Sequence, residues 1–146
     1  MAKSLIFSLL DDEVRDSELI RKAITHRSAS KRNNERLEFL GDSVLSLVIT
    51  DYLYEQMPDA TEGELSRMRA HLVKGTTLAA MAQEHGLGDQ LHLGPGELKS
   101  GGFRRESIME DAIEAIIGAV FLMRGFETAR EYILELFKDR LENLPA

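Results

Sequence analysis

Two groups of carboxylates stand at helical spacing in this chain. Glu35, Glu38 and Asp42 fall at i, i+3 and i+7 within ERLEFLGDSVL, and Asp111 and Glu114 fall at i, i+3 within DAIEAIIGAVFL. At about 100° per residue the first three share an arc of roughly 60°, with Leu37, Leu40 and Val44 on the opposite side. Such a stripe is ordinarily a solvated face, and like charges at this spacing repel by only about a few tenths of a kcal/mol per pair. The second pair differs. Its face carries Ala115, Gly118 and Leu122, while Ile113, Ile116, Ile117, Val120 and Phe121 cover the rest, so no solvated side remains. Unpaired buried carboxylates are costly or take up protons.

One arginine would hardly compensate a cluster contributed by two helices, whereas a hard divalent cation would. Mg²⁺ takes oxygen ligands, keeps several waters and is held by a few carboxylates together with substrate phosphate oxygens. Two such ions about 3.5–4 Å apart can align an attacking water and a leaving oxygen across a phosphodiester. Glu38, Asp42, Asp111 and Glu114 suit that task. A di-iron bundle needs Glu-x-x-His twice. None of His26, His71, His85 or His92 has a Glu three residues before it, which excludes that site.

The elements that must position these acids are helical. Period-3.6 spacing dominates and no period-2 strand is convincing. The expected helices cover residues 3–10, 17–25 with Ser17 as N-cap, 33 or 34 to just before Pro58, 61–72, 76–85, 107–124 and 127–144. The long one is expected to turn Leu37, Leu40, Val44, Leu47, Val48, Leu53 and Tyr54 inward. TEGE at 61–64 reads as a capping box. The segment 93–102 is a Gly-rich loop lacking the Lys-Ser/Thr ending of a phosphate-binding P-loop. The 107–124 helix is apolar around most of its circumference and is expected to be central.

The 146 residues fit one domain, 1–146. Hydrophobic residues make up 43% and charged ones 29%, which suits a globular domain, and there is no Cys, which excludes thiolate metal sites and Cys nucleophiles and favours a cytoplasmic setting. No apolar run approaches the ~20 residues of a membrane span, and the N-terminal run is too short for a signal peptide. The net charge of −7 argues by itself against nucleic acid, but a Mg²⁺ site must be acidic, and bound ions reverse the local field.

ERLEFLGDSVL (35–45) resembles the signature of the ribonuclease III family. THRSAS (25–30), LSRMRAHLVKGTTLA (65–79), LGPGELKSGGFRRESI (93–108) and DAIEAIIGAVFL (111–122) are similar to further segments of bacterial ribonuclease III, in the same order, and the likeness covers about residues 17–140. The resemblance implies an all-α nuclease domain, a bundle of about seven helices acting as a homodimer. It implies Mg²⁺-dependent endonucleolytic hydrolysis of double-stranded RNA, with Mn²⁺ as a possible substitute. The products would carry 5′-phosphate and 3′-hydroxyl ends with short 3′ overhangs, in processing of ribosomal and other RNA precursors. It places Glu38, Asp42, Asp111 and Glu114 as catalytic metal ligands and Glu35 and Glu62 as supporting acids, and it implies no side-chain nucleophile. In a two-fold dimer Phe39, next to the acids, is expected to pack across the interface.

The chain departs from the family pattern twice. Glu110 precedes Asp111 where a small residue is usual; lying about 100° from Asp111, it is expected to point elsewhere, with a risk of added charge near the metals. The C-terminal double-stranded-RNA-binding domain usual in bacterial members is absent from this chain. A different class of function therefore stays open: a non-cleaving RNA-binding or dimerisation module of the same fold.

Among the bases, Arg104, Arg105, Lys99 and Arg67 are candidates for RNA backbone contact. Ion pairing with the abundant acids is the competing role, for Arg105 with Glu106 or Glu110. His26 reads as a helix-end hydrogen bond, with a catalytic role as the alternative.

Overall fold

A computed structural model describes residues 4–144. Its helices are α1 (Leu5–Ser8), α2 (Asp12–Arg15), α3 (Glu18–Ala23), α4 (Glu35–Gln56), α5 (Glu62–Val73), α6 (Gly75–Glu84), α7 (Pro95–Lys99), α8 (Glu106–Leu136) and α9 (Lys138–Glu142), with 3₁₀ turns at Leu87–Gln90 and Gly102–Arg104. Among the described residues there is no strand, and one isolated bridge pairs Thr25 with His92. The expected helix over 3–10 begins outside the described residues and within them is α1 alone; α2 follows it as a further short helix, opened by Asp11, which accepts from Val14 N–H.

The local signals act as their chemistry dictates. Ser17 accepts from Ile20 N–H and opens α3. Thr61 and Glu64 form both bonds of the capping box that starts α5. Gly86 takes φ 65° just past α6, a conformation that favours glycine. The expected break near residue 125 is real. Gly125 has φ 84° and ψ 180° inside α8, so the run Glu106–Leu136 is two helical segments meeting at a kink. The Gly-rich segment, expected as a loop, holds α7, with Pro95 at its first turn.

The long helices α4 and α8 pack against each other along most of their length, and α5, α6 and α3 close around them. Their shared core includes Val44, Leu45, Val48 and Ile49 from α4 with Ile113, Ile116, Ile117 and Val120 from α8. Two residues expected inside α4 are outside: Leu47 is 56% and Tyr54 73% exposed. The side of α4 facing α8 centres on Gly41 and Leu45, and Leu47 and Tyr54 lie roughly 140–160° around the helix from it. Gly41, Leu45 and Ile49 are buried in their place. The acids consequently sit on the flank of the buried face rather than across the helix from it.

Candidate functional site

The crossing of α4 and α8 brings the two acidic groups together. One carboxylate oxygen each from Glu38, Asp111 and Glu114 lie within 4.8 Å of one another. The approach depends on glycine. A Cβ on Gly41 would overlap the Glu114 carbonyl oxygen, and one on Gly118 would meet Leu37 O at 2.5 Å and Gly41 N at 3.2 Å. The helices thus touch backbone to backbone at the level of the acids. Helix periodicity assigns this pair no role; its signal in the sequence is two glycines on inward faces, each within four residues of an acid.

The electrostatics of the cluster are unfavourable without a cation. Glu114 is only 3% exposed, and its carboxyl is pushed up to about 10, first by burial and then by a hydrogen bond to Asp42 and the charges of Asp42, Glu110 and Glu38. Asp111 is raised to about 6 by burial and by Glu110, with Arg27 opposing. Glu38 is raised by burial and by Asp111, Asp42 and Glu35. Three carboxyls holding protons more tightly than usual, around oxygens close enough to share one ligand, form a donor set that fits a hard divalent cation.

The remaining expected site residues divide. Asp42 is outside the tight trio and exposed, but reaches Glu114 through their hydrogen bond. Glu35, exposed at the start of α4, is near enough to raise both Glu38 and Asp111. Glu62 is the first residue of α5, accepts from Ser66 Oγ at 3.2 Å, and contributes to none of the raised carboxyls. Glu110 lies outside the trio: its carboxyl is half-buried next to Gly75 at the start of α6, while its charge reaches the cluster, raising Asp111 and Glu114, and it is itself raised by burial and then by Glu38 and Asp42. A neighbouring helix supplies a pocket for it that angular position on α8 does not reveal.

Lys99, Arg67, Arg104 and Arg105 are exposed. Arg104 stands over the Phe103 ring, 5.0 Å from its centroid. Arg105 lies 3.8 Å from Glu97, the acid it pairs with in place of Glu106 or Glu110. Phe39 is 78% exposed, a large ring in contact with little of its own chain.

This arrangement is similar to known proteins throughout. A model of the ribonuclease-III-like family matches residues 16–141. Ribonuclease 3 of Shewanella baltica is 61% identical over 135 residues, covering 92% of this chain and 60% of that protein. Ribonuclease 3 of Shewanella amazonensis is 62% identical over 132 residues, covering 90% and 58%. The chain therefore spans about 60% of the length of these curated relatives. Among solved structures, the nuclease domain of ribonuclease III from Campylobacter jejuni, described for flexibility in its region involved in dimer formation, superposes with a TM-score of 0.88. It is 42% identical, with 96% of this chain and 98% of that one covered. Dicer from Pichia stipitis gives a TM-score of 0.68 at 30% identity, covering 90% and 59%. With the family model and the full-length structural match agreeing on the same helices, this chain belongs to the ribonuclease-III-like family.

Proposed function

We propose that this chain is the nuclease domain of a ribonuclease III that cuts both strands of duplex RNA. Glu38, Asp42, Asp111 and Glu114 hold divalent cations in this reading, Mg²⁺ first and Mn²⁺ as substitute. The observation that carries it is the convergence of Glu38, Asp111 and Glu114 oxygens within 4.8 Å in a chain of this family. When bound, such cations polarise a phosphoryl oxygen and lower the pKa of water, so that hydrolysis proceeds without a charged side-chain attacker.

The chain's own residues do the rest. Glu38, Asp111 and Glu114 supply oxygen ligands from two rigid helices. Asp42, exposed beside the trio and close enough to raise the Glu114 carboxyl, adds the fourth carboxylate. Glu35 adds negative charge at the rim of the cluster, and Lys99, Arg67, Arg104 and Arg105 neutralise phosphates of the duplex. Glu62 has a weaker claim, placement of substrate from α5. The products carry 5′-phosphate and 3′-hydroxyl ends with short 3′ overhangs, and the setting is cytoplasmic processing of ribosomal and other RNA precursors. A homodimer sets two clusters against the two strands, with the exposed Phe39 ring at the interface. Among the described residues no helix is long and apolar enough to cross a membrane.

The test is incubation of long duplex RNA with Mg²⁺ at low salt, where phosphate binding is strongest. Short duplex products that vanish in Asp42→Asn and Glu114→Gln proteins of unchanged circular dichroism support the reading. A gel shift without products gives the chain to the binding-module class instead.

A further inference from the structure

His26 follows α3 in an orientation fixed from several sides. Its backbone N–H donates to His92 O at 2.9 Å. The Ser28 backbone N–H donates to its Nδ1 at 3.1 Å, and Ser28 Oγ lies 2.8 Å from the same nitrogen. That hydroxyl in turn accepts from Gly94 N–H at 2.9 Å. A backbone N–H can only donate, so Nδ1 is the acceptor, and the neutral imidazole carries its proton on Nε2. The relay Gly94–Ser28–His26 thus prepares an Nε2–H donor, which has no partner among the described residues.

The same loop is anchored on its other side. Asn34 is buried; its N–H donates to Thr25 O at 3.0 Å and its Nδ2 to Ala23 O at 3.1 Å. Between this loop, α7 and the start of α8 opens a cleft of about 200 Å³. His26, Arg27 and Arg105 line it, together with Glu35, Glu97 and Asp111. Of these acids, Glu97 faces Arg105 at 3.8 Å, Asp111 belongs to the cluster already described, and the exposed Glu35 stands at that cluster's rim, where it raises Asp111. Arg27 is exposed, pairs with no carboxylate within 4.0 Å among the described residues, and acts electrostatically on Asp111. Asp111 therefore borders both the cleft and the acidic cluster.

We propose that this cleft is a phosphate subsite for the RNA strand, adjoining the phosphodiester at the acidic cluster. Arg27 supplies the charge, Arg105 closes the far side, and His26 Nε2–H gives a directed hydrogen bond. The subsite rests on the nuclease reading and adds to it His26 and Arg27, residues that position the strand and leave cleavage chemistry to the acids. A phosphate suits the cleft because one wall offers a donor of fixed direction, His26 Nε2–H, beside the exposed Arg27 guanidinium.

The experiment measures binding of a short RNA duplex to the Glu114→Gln protein in Mg²⁺ by fluorescence anisotropy, across a salt series of about 50–200 mM. Adding Arg27→Ala is expected to flatten the slope of log K against log salt by about 1, the signature of one lost phosphate contact. Arg27→Lys is expected to keep the slope, which separates loss of charge from misfolding. His26→Ala is expected to weaken binding about tenfold, the worth of one hydrogen bond to a charged group, with no change of slope. An unchanged slope in Arg27→Ala, or a Glu114→Gln protein that binds no duplex, overturns the subsite. Cleavage by the wild type is scored separately: products with unchanged slopes remove the subsite and leave the nuclease, whereas a flattened slope without products removes the nuclease and leaves a duplex-binding cleft.

Discussion

A Cβ placed on Gly41 would overlap the carbonyl oxygen of Glu114. The obstacle is backbone inside an α-helix, which cannot rotate aside as a side chain can. Gly41→Ala should therefore push α4 and α8 apart at the level of the acids, at an overpacking cost of about 1–3 kcal/mol. Urea unfolding with and without Mg²⁺ checks this: stability should drop, and the Mg²⁺-induced gain should shrink with it. A variant within about 0.5 kcal/mol of wild type, the range of an ordinary surface substitution, contradicts the tight crossing.

The raised carboxyls carry a definite pH signature. Glu114 moves from its ordinary 4.5 to about 10 on folding, because burial disfavours its charged form. The folded chain binds this proton more tightly than the unfolded chain. Its contribution to stability is fully present below about 4.5 and is lost as pH rises through about 10. In metal-free protein the melting temperature should fall between mildly acidic and alkaline pH, and the fall should be shallower in Glu114→Gln. Parallel curves for the two proteins, recorded in EDTA, would count against the buried cluster.

Metal uptake should release protons. Near neutrality Glu114, at about 10, is protonated, whereas Asp111, at about 6, is largely ionised. A cation must displace the Glu114 proton, so roughly one proton should leave per cluster filled. Titration calorimetry with Mg²⁺ or Mn²⁺ in buffers of different ionisation enthalpy reads that number directly. Buffer-independent heats, or no heat at all, would remove Glu114 from the ligand set.

The exposed ring of Phe39 provides the test of assembly. A homodimer that buries it should lose about 1 kcal/mol or more of association free energy on truncation to Ala, as central aromatic anchors do. Sedimentation of dilute Phe39→Ala should show monomer where the wild type remains dimeric. Full dimerisation at the same dilution would put the interface elsewhere.

The residue order of this chain was enough to determine which residues share a helix face. Angular position follows from a fixed 100° step, so the acids at 38 and 42 and at 111 and 114 could be grouped before any coordinates. Caps at Ser17 and Thr61 and the break near Gly125 were legible for the same reason, since each depends on atoms a few residues apart. Tertiary structure alone decided which flank of α4 met α8. The pattern favoured Leu47 and Tyr54, but the backbone contact allowed by Gly41 and Gly118 turned them outward and set Glu38 on the flank beside α8. It likewise folded Glu110 against Gly75 and joined Ser28 to Gly94 across 66 positions. Contacts between distant segments depend on shape and on what each helix lets approach, and a period read along one helix carries no information about its neighbour.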